Sequence, residues 1–87
     1  MEVVLSKAAA RDYKHINEPL KSRISKAIDN LEKEPPEGDI KKMTGLEDTY
    51  RLRVGDFRII YSIAVQNGGE RYIIITKIAP RGEAYKD

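Results

Sequence analysis

Arg51, Arg53 and Arg58 flank the dipeptide Gly55-Asp56 in the segment Tyr50-Arg51-Leu52-Arg53-Val54-Gly55-Asp56-Phe57-Arg58-Ile59-Ile60-Tyr61. Their types and spacing point to an anion site. Gly55-Asp56 reads as a two-residue hairpin loop, with glycine supplying the positive φ that such turns need. That loop places Val54 opposite Phe57, Arg53 opposite Arg58, Leu52 opposite Ile59 and Arg51 opposite Ile60. Side chains alternate between faces along each strand, so Arg51, Arg53 and Arg58 share one face. Like charges directly opposite each other across a ladder destabilise it, and an anion such as phosphate would offset the repulsion.

A second hairpin signal, Gln66-Asn67-Gly68-Gly69, joins this segment to Arg71–Ile78. Pairing Gln66 with Gly69 sets Arg58 opposite Lys77, Ile60 opposite Ile75 and Ser62 opposite Ile73, all on the arginine face. Lys77 then joins the three arginines as a phosphate contact. Between Thr49 and Arg81 there are six basic residues (Arg51, Arg53, Arg58, Arg71, Lys77, Arg81) against two acidic ones (Asp56, Glu70). This local excess suits phosphate binding better than the net charge of +2 suggests. Ile60, Ile73 and Ile75 lie beyond the charged end of that face with nothing in the chain to cover them. Such a patch beside a basic site marks a partner surface.

The elements that must position these residues can be read in order. Val3-Val4-Leu5 is a short strand, and Ser6 is a good N-cap for a helix running through Ala8, Ala9, Ala10 and Tyr13 towards Ile16. Asn17-Glu18-Pro19 interrupts it. A second helix begins near Pro19 and presents Leu20, Ile24, Ala27, Ile28 and Leu31 as one apolar stripe, ending at Pro35-Pro36. The polar connection from Pro35 to Gly45 contains Lys41-Lys42, either a solvated loop or a further anion contact. Tyr50, Leu52, Val54, Phe57, Ile59, Tyr61, Ile63, Tyr72, Ile74 and Ile78 form the opposite, apolar face for the helices to cover. The expected fold is α+β: one small domain over residues 1–87, β-α-α-β-β-β, with a mostly antiparallel sheet and a helical hairpin on one face.

Composition narrows the chemistry. With no cysteine there is no disulfide framework and no thiol nucleophile. His15 is the one histidine, so a two-histidine acid/base scheme is not available and no histidine pair invites a metal; a surface or packing role suits it better. No secretory segment or membrane-length apolar run is evident, and the expectation is a cytoplasmic protein with no membrane partner and no cofactor.

Gly45-Leu46, the Arg-x-Arg-x-Gly-x-Phe-Arg hairpin and the closing Arg81-Gly82-Glu83-Ala84-Tyr85 resemble the RelE/ParE toxin superfamily, on its RelE side. The resemblance covers nearly the whole chain and is more specific for the superfamily than for the activity. It implies a toxin of a toxin–antitoxin pair that cleaves mRNA in the ribosomal A site and is neutralised by a cognate antitoxin. ParE relatives on the same fold inhibit DNA gyrase instead, and an inactive RelE-fold binding protein is a further alternative. Carried over by position, the catalytic set becomes Arg51, Arg53, Arg58, Arg81 and Tyr85. RNA contacts fall on Lys77, Lys41 and Lys42, and antitoxin contacts on Ile60, Ile73 and Ile75. Well-described RelE toxins can carry lysines where Arg51 and Arg53 stand. Arginine does not serve as a general base, so these two are expected to stabilise charge. Gly82 stands where many relatives have a second basic residue.

The resemblance further implies metal-independent chemistry in which the RNA 2′-OH attacks the adjacent phosphate. Tyr85 would stack on a base or act as a proton acceptor, with Glu83 and Glu47 as weaker candidates for proton transfer.

Overall fold

The computed structural model describes residues 1–82 as β1 (Glu2–Leu5), α1 (Lys7–Lys14), α2 (Leu20–Leu31), β2 (Asp39–Lys42), β3 (Thr49–Val54), β4 (Phe57–Val65) and β5 (Arg71–Pro80). The strands form one sheet in the order β1-β5-β4-β3-β2. Only the β1–β5 pair is parallel. The α+β class and the helical hairpin agree with the sequence reading, and one strand is added to it.

Local chemistry accounts for the helices. Ser6 has the extended backbone of an N-cap, and its Oγ accepts a hydrogen bond from the Ala9 backbone N–H at 3.1 Å, a cap worth about 1 kcal/mol. Asp12 on α1 reaches the sheet, its Oδ2 accepting from the Ile78 backbone N–H at 3.1 Å. That N–H lies beyond the end of β1, whose last pair is Leu5 with Ile75, so a carboxylate supplies the acceptor that a longer strand would have supplied. On α2 the stripe of Leu20, Ile24, Ala27, Ile28 and Leu31 enters the core as its spacing requires, with Ile24 and Leu31 at 0% exposure.

The added strand, β2, replaces part of the expected loop, since Asp39-Ile40-Lys41-Lys42 is too short and polar to signal a strand. It is an edge strand, and charged side chains protect such edges from pairing with other chains. Ile40 alone anchors it to the core. Gly38 leads into it with φ +143, and a Cβ there would lie 2.5 Å from Leu52 Cδ1. Leu52 is itself buried, so the close approach of β2 to the sheet depends on glycine.

The first hairpin register matches the expectation at every pair from Val54↔Phe57 to Arg51↔Ile60. Gly55 has φ +58, as the two-residue loop demands. The second hairpin differs. Gln66 N donates to Glu70 O at 2.7 Å, so the loop holds three residues, Asn67-Gly68-Gly69. Further along, Ile60 pairs with Lys77 while Tyr61 pairs with Ile75, leaving Thr76 as a β-bulge whose Oγ1 donates to Ile60 O at 3.3 Å.

Together the longer loop and the bulge overturn three placements. Ile73 and Ile75 do not share the arginine face; they pair with Ile63 and Tyr61 and lie in the helix-covered core at 0% exposure. Tyr72 and Ile74 exchange with them, pairing with Ala64 and Ser62 on the arginine side. Lys77 sits opposite Ile60, and Ala79 takes the place beside Arg58. The cause is physical: three consecutive isoleucines carry no alternation from which to read a face, and a single slip inverts every side chain.

Candidate functional site

On the sheet face opposite the helices, cross-strand rows bring the cations together. One row runs Asp39, Arg53, Arg58, Ala79, and the next runs Lys41, Arg51, Ile60, Lys77. Between β2, the loop after it, the hairpin and the end of β5 lies a cleft of about 530 Å³ lined by Lys41, Lys42, Met43, Thr44, Arg51, Arg53, Arg58 and Arg81. None of these described lining residues is acidic.

Arg58 is the buried member, at 3% exposure. Its Nη1 donates to the carbonyl oxygens of Gly55 at 3.2 Å and Phe57 at 3.1 Å, so the turn that sets the register also holds the guanidinium. Its Nε is buried with no hydrogen-bond partner among the described residues. Ile60, Ala79 and Met43 pack as a small apolar cluster on this side of the sheet. Arg53, Lys41, Lys42 and Arg81 are exposed around the buried arginine, and Arg51 is half-buried. Arg81 is tied in by its backbone N–H, which donates to Asp56 O at 2.8 Å. Asp56, Asp48 and Glu47 are the acidic residues of the adjoining turns, and ion pairs with them would make the arginines an ordinary solvated strand face. Among the described residues neither Arg53 nor Arg58 forms such a pair; the ion pairs there are Met1–Glu34 and Lys33–Glu37.

An arrangement of this kind can hold and polarise a phosphate. Guanidinium groups donate paired hydrogen bonds to phosphoryl oxygens, and donors fixed in advance stabilise charge that develops during a reaction. The structure brings Arg51, Arg53, Arg58 and Arg81 to one cleft with Lys41 and Lys42. Lys77 shares the face without lining the cleft. Tyr85 and Glu83 lie outside the described residues. Met43 and Thr44 were missed, since only the path of β2 brings them here. Elsewhere, Tyr50 and Tyr61 stack with ring centroids 5.3 Å apart on the core face. Burial, with Tyr50 as the smaller cause, pushes the Tyr61 hydroxyl up to about 12. His15 is exposed at the end of α1 and lies among Asp12, Asn17, Leu20 and Phe57, away from the basic cleft.

Comparison with known proteins agrees with this geometry. A family model described as the ParE toxin of the type II toxin–antitoxin system parDE matches residues 3–85. The protein called RelE1 of Methanocaldococcus jannaschii is 32% identical over 88 aligned positions, covering 98% of this chain and 94% of its own length. Toxin RelE3 of the same organism is 33% identical over 63 positions, covering 68% of this chain and 72% of its own. Among solved structures, the RelB–RelE antitoxin–toxin complex from Methanococcus jannaschii superposes with a TM-score of 0.71 at 28% identity, covering 94% of each chain. The RelBE2 toxin–antitoxin complex from Mycobacterium tuberculosis gives 0.70 at 17% identity over 92% of this chain and 96% of that one, a likeness of fold. The hairpin arginines, the five-stranded α+β fold and a family match running almost end to end converge: this chain belongs to the RelE/ParE superfamily, as a toxin of a type II toxin–antitoxin system.

Proposed function

We propose that the toxin is an endoribonuclease that cleaves mRNA in the ribosomal A site, in the cytoplasm, with residues 1–87 acting as one RelE-like domain. The observation that supports this most is the cleft itself, whose eight described lining residues include six cations arranged around the buried Arg58. In the reaction the substrate 2′-OH gives up its proton to a base and its oxygen bonds to the adjacent phosphorus. The P–O5′ bond breaks, and the products are a 2′,3′-cyclic phosphate and a 5′-oxygen that takes up a proton to become a 5′-OH. Arg58, Arg53 and Arg51 meet the phosphoryl oxygens as charge builds, Arg81 closes the end of the cleft, and Lys41 and Lys42 hold the flanking backbone. Tyr85 retains the stacking or proton-transfer role that the superfamily resemblance gives it.

A cognate antitoxin is the second partner, in keeping with the antitoxin–toxin complexes among the solved relatives. Of the isoleucines expected to meet it, Ile60 is on the cleft side but buried beside Ala79 and Met43 instead of uncovered, and the half-buried Ile74 stands there in place of Ile73 and Ile75.

The test is a programmed ribosome carrying mRNA whose nucleotide before the scissile bond is 2′-deoxy. Binding persists and cleavage stops if the internal nucleophile is required; a cut deoxy substrate would refute the mechanism. Because the matching family model is named for ParE toxins, gyrase inhibition is the second reading. Loss of supercoiling by purified gyrase, with mRNA left intact on the ribosome, would establish it instead.

A further inference from the structure

We infer that the cleft is also a site for a compact linear polyphosphate, the chemistry shared by inorganic tripolyphosphate and the triphosphate tail of a nucleotide, and that such an anion competes with RNA for it. Arg58 carries the argument. A guanidinium at 3% exposure has Nη1 committed to the Gly55 and Phe57 carbonyls while its buried Nε–H has no acceptor among the described residues. A buried guanidinium without a counter-charge is costly, and an anion held in the cleft that Arg58 lines offsets that cost. Around this anchor, Arg53, Arg81, Lys41 and Lys42 are exposed and line the same space of about 530 Å³, ample for a small ligand. The nearest acidic residue by register is Asp39, across from Arg53, and it is exposed.

Charge density then selects the ligand. A nucleic-acid strand brings one charge per nucleotide, so few of its charges can enter a cleft this small. A triphosphate concentrates several charges and many acceptor oxygens in a few ångströms, matching the local density of donors. Occupation by it would withhold the cations from an RNA phosphate. The competition rests on the proposed RNA reading; the binding does not.

Titration calorimetry of the full chain with sodium tripolyphosphate, alongside ATP and orthophosphate, tests the binding. Tripolyphosphate should bind at one saturable site, more tightly than orthophosphate. ATP binding as well would show that a nucleotide can be the source, and tripolyphosphate binding alone that the inorganic chain is. Arg58→Ala should weaken binding roughly 10- to 100-fold, as expected for loss of a charged hydrogen bond. Arg53→Ala, at an exposed position that folding does not depend on, should weaken it measurably, and Lys14→Ala on α1 should leave it unchanged. Circular dichroism checks each fold. Absence of saturable binding, indifference to both arginine variants, or an equal loss in Lys14→Ala would overturn the site. Displacement of a labelled deoxyoligonucleotide by tripolyphosphate tests the competition, and an undisturbed oligonucleotide would refute it. Tight tripolyphosphate binding by a protein that cuts no mRNA would leave this inference standing and remove the nuclease reading.

Discussion

At Arg58, folding and function pull in opposite directions. Its guanidinium leaves water without a carboxylate partner among the described residues, held only by two turn carbonyls. Apolar replacement of buried charge is often neutral or stabilising. We therefore expect Arg58→Leu to raise the unfolding free energy by on the order of 1 kcal/mol in urea denaturation. The same variant should cleave ribosome-bound mRNA about 10²- to 10³-fold more slowly, the usual loss when one pre-placed donor is removed from a transition state. A variant that lost stability together with activity would make Arg58 a structural residue of the hairpin. Arg53 differs, being exposed and free to change partners.

The elements that decide most are the three-residue loop Asn67-Gly68-Gly69, which turns Ile73 and Ile75 towards the helices, and the bulge at Thr76, which lets Ile78 face them as well. Ile75→Asp should unfold the protein, costing about 4 kcal/mol or more through lost burial and an unpaired buried carboxylate. Ile74→Asp, on the half-buried cleft side, should cost about 1 kcal/mol. Chemical denaturation of the two variants reads the register directly; equal effects would contradict the register that the three-residue loop sets.

In the same sheet, Tyr61 gives a pH signature. Its hydroxyl is raised to about 12 from the ordinary 10.0, chiefly by burial. The fold thus favours the neutral phenol. Its contribution is complete below pH 10 and is lost as pH rises from about 10 to 12. Denaturation midpoints across that window should fall more steeply for the natural protein than for Tyr61→Phe, and parallel curves would show that the stacked pair does not govern alkaline stability.

For the whole molecule, a net charge of +2 conceals a sheet face that gathers cations and a helical side on which acids and bases mix. RNA affinity should therefore depend steeply on salt. Each cation engaged with a single strand adds about 0.7 to the slope of log K against log salt. Arg53→Ala should flatten that slope by about that amount for a short deoxyoligonucleotide, measured by fluorescence anisotropy. An unaltered slope would remove Arg53 from the nucleic-acid contact.

Local chemistry written into the chain was enough for several features. Ser6 marks the start of α1, the five apolar residues of α2 select its buried face, and Gly55-Asp56 sets the register that puts Arg51, Arg53 and Arg58 on one side. Each depends on residues a few positions apart, where turn geometry and periodicity act without help from the rest of the fold. The assignment of Ile73, Ile74 and Ile75 was of another kind. Three equivalent side chains leave the choice of face to the helices, and the sheet meets their demand for Ile73 and Ile75 with a three-residue loop and for Ile78 by taking in Thr76 as an extra residue. β2 was hidden for a related reason: Asp39–Lys42 forms a strand only because Ile40 finds the core and Gly38 lets the chain pass close to Leu52. The chain offered Lys41 and Lys42 as RNA contacts on a loop; tertiary packing decided that they stand on a strand beside the arginines, and that the cations enclose a cleft.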